Sequence, residues 1–428
     1  MTLIKNGRVI DPANHIDGTF DILIKDGKIV EVSPFISAEH CKIINAAGMW
    51  VTPGLIDMHV HLRDPGGLHK ETITTGTKSA AAGGFTTVCC MPNTSPVVDN
   101  EEVVEYITST AAKDGCVNVI PIGSITKALN GTTLSAIKSM KAAGICAISD
   151  DGKTVENPQL LKTAMEQAAK LDLPVLSHCE DLRMVNNGQM GAGKQANILN
   201  VQGIPPEAEE IIIARDIILA RLTGVRLHIC HVSTAEGVTL IRAAQARGLP
   251  ITAEVCPHHF TLVDEDMTTL DANLKMSPPL RSKKDRAALL EGLKDGTIGV
   301  IATDHAPHHA DEKNASFNTA PNGIIGLETA VPLCISEIVL KNILTPSQLI
   351  AALTINPAKI LNLNKGHLTI NAAADITIID PNREYTIDKN KFHSLSRNTP
   401  FHGRQVTGKV MHTIVEGKSV YTEGDFLC

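Results

Sequence analysis

Aromatic side chains are scarce: one Trp, three Tyr and eight Phe make up 3% of 428 residues. A site built on stacked rings is therefore not expected, and the core has to be aliphatic, for which a 43% hydrophobic content is ample. A basic excess is also missing. The net charge of −7 leaves no positive stripe of the kind a nucleic-acid partner requires, so the expected partner is a small molecule. No apolar run comes near the roughly 20 residues that cross a bilayer. The opening "MTLIKNGRVIDPANHIDG" turns polar within a few residues and lacks the apolar stretch of a secretory signal, so a cytoplasmic protein without membrane association is expected. Ten cysteines show no regular spacing and no C-x-x-C pair. They read as reduced thiols in small core positions rather than as a disulfide framework, with the adjacent Cys89 and Cys90 on opposite faces of a strand.

The two ends of the chain read alike. "TLIKNGRVID", "DILIKDGKIVEV" and "KIINAAGMWV" are short strands, with Asn6-Gly7 and Asp26-Gly27 as hairpin signals, and "ADITIID" and "GKVMHTIVEGKSVY" follow the same pattern with a turn at Glu416-Gly417. This predicts a small β-sandwich domain drawn from residues 1–52 and 366–428, around an α/β catalytic segment 53–365. In that segment eight apolar runs, "GLIDMHV", "GFTTVCCM", "VNVIPIG", "GICAIS", "LPVLSH", "VRLHICHV", "PITAEVC" and "IGVIATD", alternate with Ala-rich stretches of helical spacing. Eight strand-helix units in about 250 residues predict a (β/α)8 TIM-type barrel. The alternative, a doubly wound sheet, usually has fewer repeats and a Gly-rich phosphate turn, and no G-x-G-x-x-G follows any of these runs.

In such a barrel the active site lies at the C-terminal strand ends. His59, His61 and Arg63 end the first run and, by strand alternation, point the same way. The second run leads to Asn93, the fourth to Asp150 and Asp151, the fifth to His178, the sixth to His231 and the eighth to Asp304 and "HAPHH". Buried polar groups cost free energy unless paired, so potential ligands arriving on independent strands at one rim are hard to explain by packing alone. They predict a metal centre whose mixed imidazole and carboxylate donors suit Zn²⁺ first, with Mn²⁺, Co²⁺ or Fe²⁺ as alternatives. His228 lies three residues before His231 and is expected on the opposite face. His258 and His259 are read as loop residues, His393, His402 and His412 as parts of the tail, and the charges at Lys283 and Lys284 as a solvated helix start.

"DMHVHLRDP", "CCMPNT", "SDDG", "KMSPPLR" and "ATDHAPHHADEK", in this order and across nearly the whole chain, resemble the amidohydrolase superfamily and within it the class I dihydroorotases. The resemblance implies zinc-dependent, reversible cyclisation of N-carbamoyl-L-aspartate to (S)-dihydroorotate in pyrimidine synthesis. It implies two Zn²⁺ per subunit, one held by His59, His61 and Asp304 and the other by His178 and His231. Many amidohydrolases bridge their metals with a carboxylated lysine; here no lysine stands at the matching place, and Asp151, more than Asp150, matches the bridging aspartate of bacterial dihydroorotases. That absence counts against a hydantoinase or dihydropyrimidinase, the alternative cyclic amidohydrolases. The resemblance further makes Asp304 the catalytic proton carrier and Arg63 and Asn93 the grip on the substrate carboxylate. His308, Ser277, Asn322 and Gly323 match further substrate contacts, although Ser277 stands where asparagine is usual and Asn322 where phenylalanine is usual. A homodimer and association with aspartate carbamoyltransferase are the partners it implies. A non-catalytic relative would tend to have lost metal ligands, and here every position is filled.

Overall fold

A computed structural model describes all of residues 1–428. The two ends of the chain hydrogen-bond into one nine-stranded sheet. From edge to edge it runs Asp425–Phe426, Lys418–Thr422, Gln405–Val415, Ile376–Thr386, Trp50–Pro53, Thr2–Asp11, Ile16–Lys25 and Lys28–Ser33, with Lys42–Asn45 also paired to Thr2–Asp11. The join between the ends is the antiparallel pair Trp50–Pro53 and Ile376–Thr386. A separate core that includes Ile4, Val9, Ile22, Val51, Ile376 and Ile414 holds this unit together.

Two of the three expected turns form. Asp26 and Gly27, and likewise Glu416 and Gly417, all have positive φ, as a two-residue hairpin turn whose twist matches its strands requires. Asn6-Gly7 is no turn. The strand Thr2–Asp11 runs straight through it with a bulge between Ile4 and Gly7, because only Asn6 is left-handed and its N–H is taken by the Asp21 carboxylate at 3.0 Å.

The middle of the chain is mixed α/β with parallel strands. Leu55–Val60, Phe85–Cys90 and Asn118–Pro121 form one array, and Val175–Ser177, Leu227–Ile229, Ile251–Val255 and Val300–Ile301 form another. The ladder does not close into a continuous barrel. The run Gly144–Ser149 pairs only through single bridges, Ile148 with Gly123 and with Val175, and the eighth run reaches the first only through His305 and Val60. Pro121 and Pro174, which have no N–H to donate, stand at the first of these gaps. Met58, Cys89, Ile122, Ala147, Leu176 and Cys230 belong to one inner cluster, whereas Cys90 belongs to the larger core shared with the helices.

The helices are punctuated as the sequence suggests. Thr72, Asn100, Asn157, Thr234 and Ser282 each accept a backbone N–H as N-cap, and Gly224 and Gly296 close their helices in left-handed geometry. Lys283 opens the helix Lys283–Asp295 and is exposed, paired with Glu265 at 2.6 Å. One expectation is corrected: Cys116 and Cys428 form a disulfide across 312 residues of sequence. The tail returns beside the strand Asn118–Pro121, and such a pairing of distant cysteines leaves no mark in their spacing. The other eight cysteines are free thiols, all buried except Cys41.

Candidate metal centre

Asp151 sits at the middle of a ring of histidines. Its Oδ1 lies 3.3 Å from His59 Nε2, 3.7 Å from His178 Nδ1 and 3.9 Å from His231 Nε2, and its Oδ2 lies 3.5 Å from His61 Nε2. Asp304 Oδ1 closes one side, 3.0 Å from His61 Nε2 and 3.6 Å from His59 Nε2. All six side chains are buried. Two triads result, His59/His61/Asp151 and Asp151/His178/His231, each with its ligand atoms within 4.8 Å of one another. Asp151 belongs to both.

The donor set fits metal cations. His59 Nε2 and Asp151 Oδ1 are buried, close together and without any hydrogen-bond partner, an arrangement that a cation between them would satisfy. Three of the rings also have their far nitrogens committed. His59 Nδ1 donates to Glu254 Oε1 at 2.6 Å, His61 Nδ1 to Asn93 Oδ1 at 2.8 Å and His178 Nε2 to Glu180 Oε2 at 3.5 Å. With the ring proton held on that far nitrogen, His59 Nε2, His61 Nε2 and His178 Nδ1 would present to a cation beside Asp151 the lone pairs that ligation needs. Burial alone would raise the Asp151 carboxyl, but the electrostatic pull of the surrounding histidines, His59 foremost, outweighs it and holds it well below the ordinary carboxylate range. For Asp304, burial is likewise outweighed by the bond from His61 and the neighbouring imidazoles, which bring it down to about 2.

Asp150 and Asp151 separate cleanly. Asp150 accepts from the backbone N–H of Ile125 and Thr126, at 2.8 and 2.9 Å, and from the Thr126 hydroxyl, so it serves the turn and Asp151 faces the histidines. Asn93 lies inside the ring, its Nδ2 3.3 Å from Asp151 Oδ2. At the mouth, Arg63 donates from Nε to the Pro307 carbonyl at 3.2 Å and lies 3.3 Å from His308 Nε2. His308 Nε2 in turn donates to the Asn322 carbonyl at 2.8 Å, which leaves its buried Nδ1 unpartnered. Gly323 follows at φ 122°, where a Cβ would stand 2.7 Å from that of Ala306. The Asn322 side chain is exposed, so only its backbone reaches the site. Ser277 donates to both oxygens of Glu180, at 3.0 and 3.1 Å, rather than standing free.

Three positions bend the backbone where strand alternation assumes it straight: Arg63, His231 and Asp304 have φ of 59°, 34° and 48°. Left-handed non-glycine residues cost of order 1–3 kcal/mol and persist where surrounding structure imposes them. The bend at His231 explains a second correction. His228 is not on an opposite face; its Nε2 meets Glu254 Oε2 at 3.0 Å while His59 holds the other oxygen. His258 and His259 lie in a short helix, Pro257–Thr261, and are buried rather than in an open loop, with burial pushing His258 down to about 4. Glu254 and Glu180, which orient His59 and His178, do not stand out among the strand-end residues of the sequence. Glu254 could have been found as a lone carboxylate inside an apolar strand run, "PITAEVC".

A mixed α/β scaffold carrying two buried His/Asp triads that share one carboxylate defines a metal-dependent amide hydrolase. The chain belongs to the dihydroorotase family. Over 98% of its length it is 52% identical to the dihydroorotase of Acetivibrio thermocellus, 99% of which is covered, and 50% identical to that of Ruminiclostridium cellulolyticum, 98% of which is covered. A family model described as dihydro-orotase-like matches residues 48–237. Among solved structures, the L-hydantoinase of Arthrobacter aurescens superposes with a TM-score of 0.90 at 27% identity, covering 100% of this chain and 97% of its own. The dihydropyrimidinase of Brevibacillus agri does so with a TM-score of 0.87 at 25% identity, covering 100% and 96%.

Proposed function

We propose that the protein interconverts N-carbamoyl-L-aspartate and (S)-dihydroorotate, in the class I manner, on a (β/α)8 barrel to which residues 1–52 and 366–428 add a small β-sandwich domain. His59, His61 and Asp304 would hold one Zn²⁺, His178 and His231 another, with Asp151 between them. Such a pair of cations, when bound, supplies a water of lowered pKa and polarises the ring amide carbonyl. Asp304 presents Oδ1 to His59 and His61, and its remaining oxygen carries the proton between the attacking water and the departing ring nitrogen. Arg63 fixes the substrate carboxylate through guanidinium N–H groups not used on Pro307, and Asn93 adds its second Nδ2–H. His308, with Nε2–H given to Asn322, offers Nδ1 as an acceptor. Burial first, then the charges of Arg63, Lys70 and Lys313, hold His308 down at about 3, so it stays neutral in this role.

The observation that carries the substrate assignment is Arg63, a half-buried guanidinium beside His308, which a site for a neutral ring would not need. The test is a side-by-side assay of the zinc-loaded protein on dihydroorotate and on hydantoin, with metal content measured on the same preparation. Turnover of dihydroorotate at about two Zn²⁺ per chain is expected; preference for hydantoin overturns the reading.

A homodimer fits one surface. The helix Glu207–Thr223 exposes Ile211, Ile218 and Leu222 by 50, 50 and 58%, on one face, with acids in its first turn and Arg221 in its last. Two copies packed antiparallel would cover the stripe and bring acid to base. Sedimentation of the wild type should show a dimer and Ile218→Glu a monomer.

A further inference from the structure

We propose that Lys275 and Lys313 are positioning residues of the carboxylate cradle, two buried ammoniums that pin the segment 317–323 so that it holds the His308 ring beside Arg63. Lys275 Nζ donates to the carbonyls of Phe317 and Ala320 at 2.6 and 2.7 Å. Lys313 Nζ donates to those of Pro321 and Gly323, both at 2.9 Å, and lies 3.4 Å from that of Lys275. The backbone closes the same circuit, with Gly323 N–H donating to the Lys275 carbonyl at 3.0 Å. Between these anchors lies Asn322, whose carbonyl takes the His308 Nε2 proton at 2.8 Å. His308 meets Arg63 at 3.3 Å.

Simple packing does not account for the pair. Lys275 and Lys313 are only 5 and 7% exposed, and every bond they make goes to a backbone carbonyl. Burial without a carboxylate partner is costly to both: it lowers Lys275 and, with the nearby charge of Lys275, pushes Lys313 down to about 7, and an apolar side chain would fill the same space at less cost. What an ammonium can do and a methyl cannot is collect carbonyls that converge from several residues, since it carries three donors and no acceptor. Here the collected carbonyls belong to the segment that steers His308. Asn398 braces the same place from the C-terminal part of the chain, donating to the Ala306 and Gly323 carbonyls at 3.0 Å each. The segment is thus held from two sides, by Asn398 and by the two lysines.

The inference rests on the dihydroorotase reading, and its test separates the two. Wild-type turnover of dihydroorotate is measured first; if there is none, that reading fails, while hydrogen exchange of the Phe317–Gly323 amides still reports on the pins. Lys313→Met and Lys275→Met are then compared with the wild type for KM, kcat, metal content and exchange. Expected are a KM for dihydroorotate raised about tenfold or more, kcat within about threefold, unchanged metal content, and faster exchange confined to this segment. Lys313→Arg, which keeps the charge but spreads its donors in a plane, should fall between. An unchanged KM in a folded variant overturns the proposal. So does a fall in kcat with loss of metal, or failure of both methionine variants to fold, because each would make the lysines general supports of the structure.

Discussion

Asp304 has Oδ1 set against His61 Nε2 and His59 Nε2, at 3.0 and 3.6 Å, and the proposed reaction assigns its other oxygen the proton transfer. Asp304→Asn keeps the shape and removes the proton carrier; kcat should fall about 10²–10⁴-fold with the fold unchanged by circular dichroism. Near-normal turnover would remove Asp304 from the role. Arg63→Lys replaces a planar fork by a point charge and should raise KM for dihydroorotate far more than it lowers kcat. Glu180→Gln should weaken metal retention against a chelator by about 10–100-fold, because the His178 Nε2–H then loses its charged acceptor. Ser277→Ala, which removes the donor holding Glu180, should move the same way by less. At this scale the sequence made His59, His61, His178, His231 and the two aspartates visible, since each ends an apolar run. It did not reveal Glu254 or Glu180, which act through another side chain, nor the position of His228, which the left-handed bend at His231 decides.

Whole elements were legible where their signals are local. Caps such as Thr234, Ser282 and Asn157 and the hairpin turns at Asp26-Gly27 and Glu416-Gly417 depend on a few neighbouring residues, and they form as the sequence suggests. Gly27 can be tested directly: at φ 77° with a Cβ only 2.9 Å from the Glu416 carbonyl, Gly27→Ala should lower stability by about 1–2 kcal/mol in urea unfolding without changing KM. The fourth and eighth strands were less legible. Their apolar runs are as clear as the others, yet the fourth pairs only through bridges at Ile148, and the eighth, laddered to Ile251–Val255, reaches the first only through His305, because the partners' backbones, not the runs themselves, set how far a ladder extends.

At the scale of the molecule the catalytic segment and the tail are tied by carboxylates. Glu328 Oε1 accepts from the Ser79 hydroxyl at 2.9 Å and from the backbone N–H of His393 and Ser394 at 2.7 and 3.2 Å. Burial nonetheless outweighs these bonds and pushes Glu328 up to about 7. The native state therefore keeps a proton that the unfolded chain has lost above its ordinary value of 4.5, so stability should decline as pH rises from there to about 7. The decline should be of order 1 kcal/mol or more. Urea midpoints at pH 5.5 and 8 would read it, and Glu328→Gln should flatten the difference.

Composition, the alternation of apolar runs with helical stretches and the residues that end those runs were enough to determine a mixed α/β enzyme with a histidine-aspartate metal site, since each signal is carried by residues close in sequence. Tertiary structure alone decided that Ser277 answers to Glu180, that Cys116 meets Cys428, and that two lysines grip the segment beside His308. Each of those is a contact between distant residues. Its partner is chosen by how the elements pack and by which buried polar groups remain to be satisfied, and no local pattern records that choice.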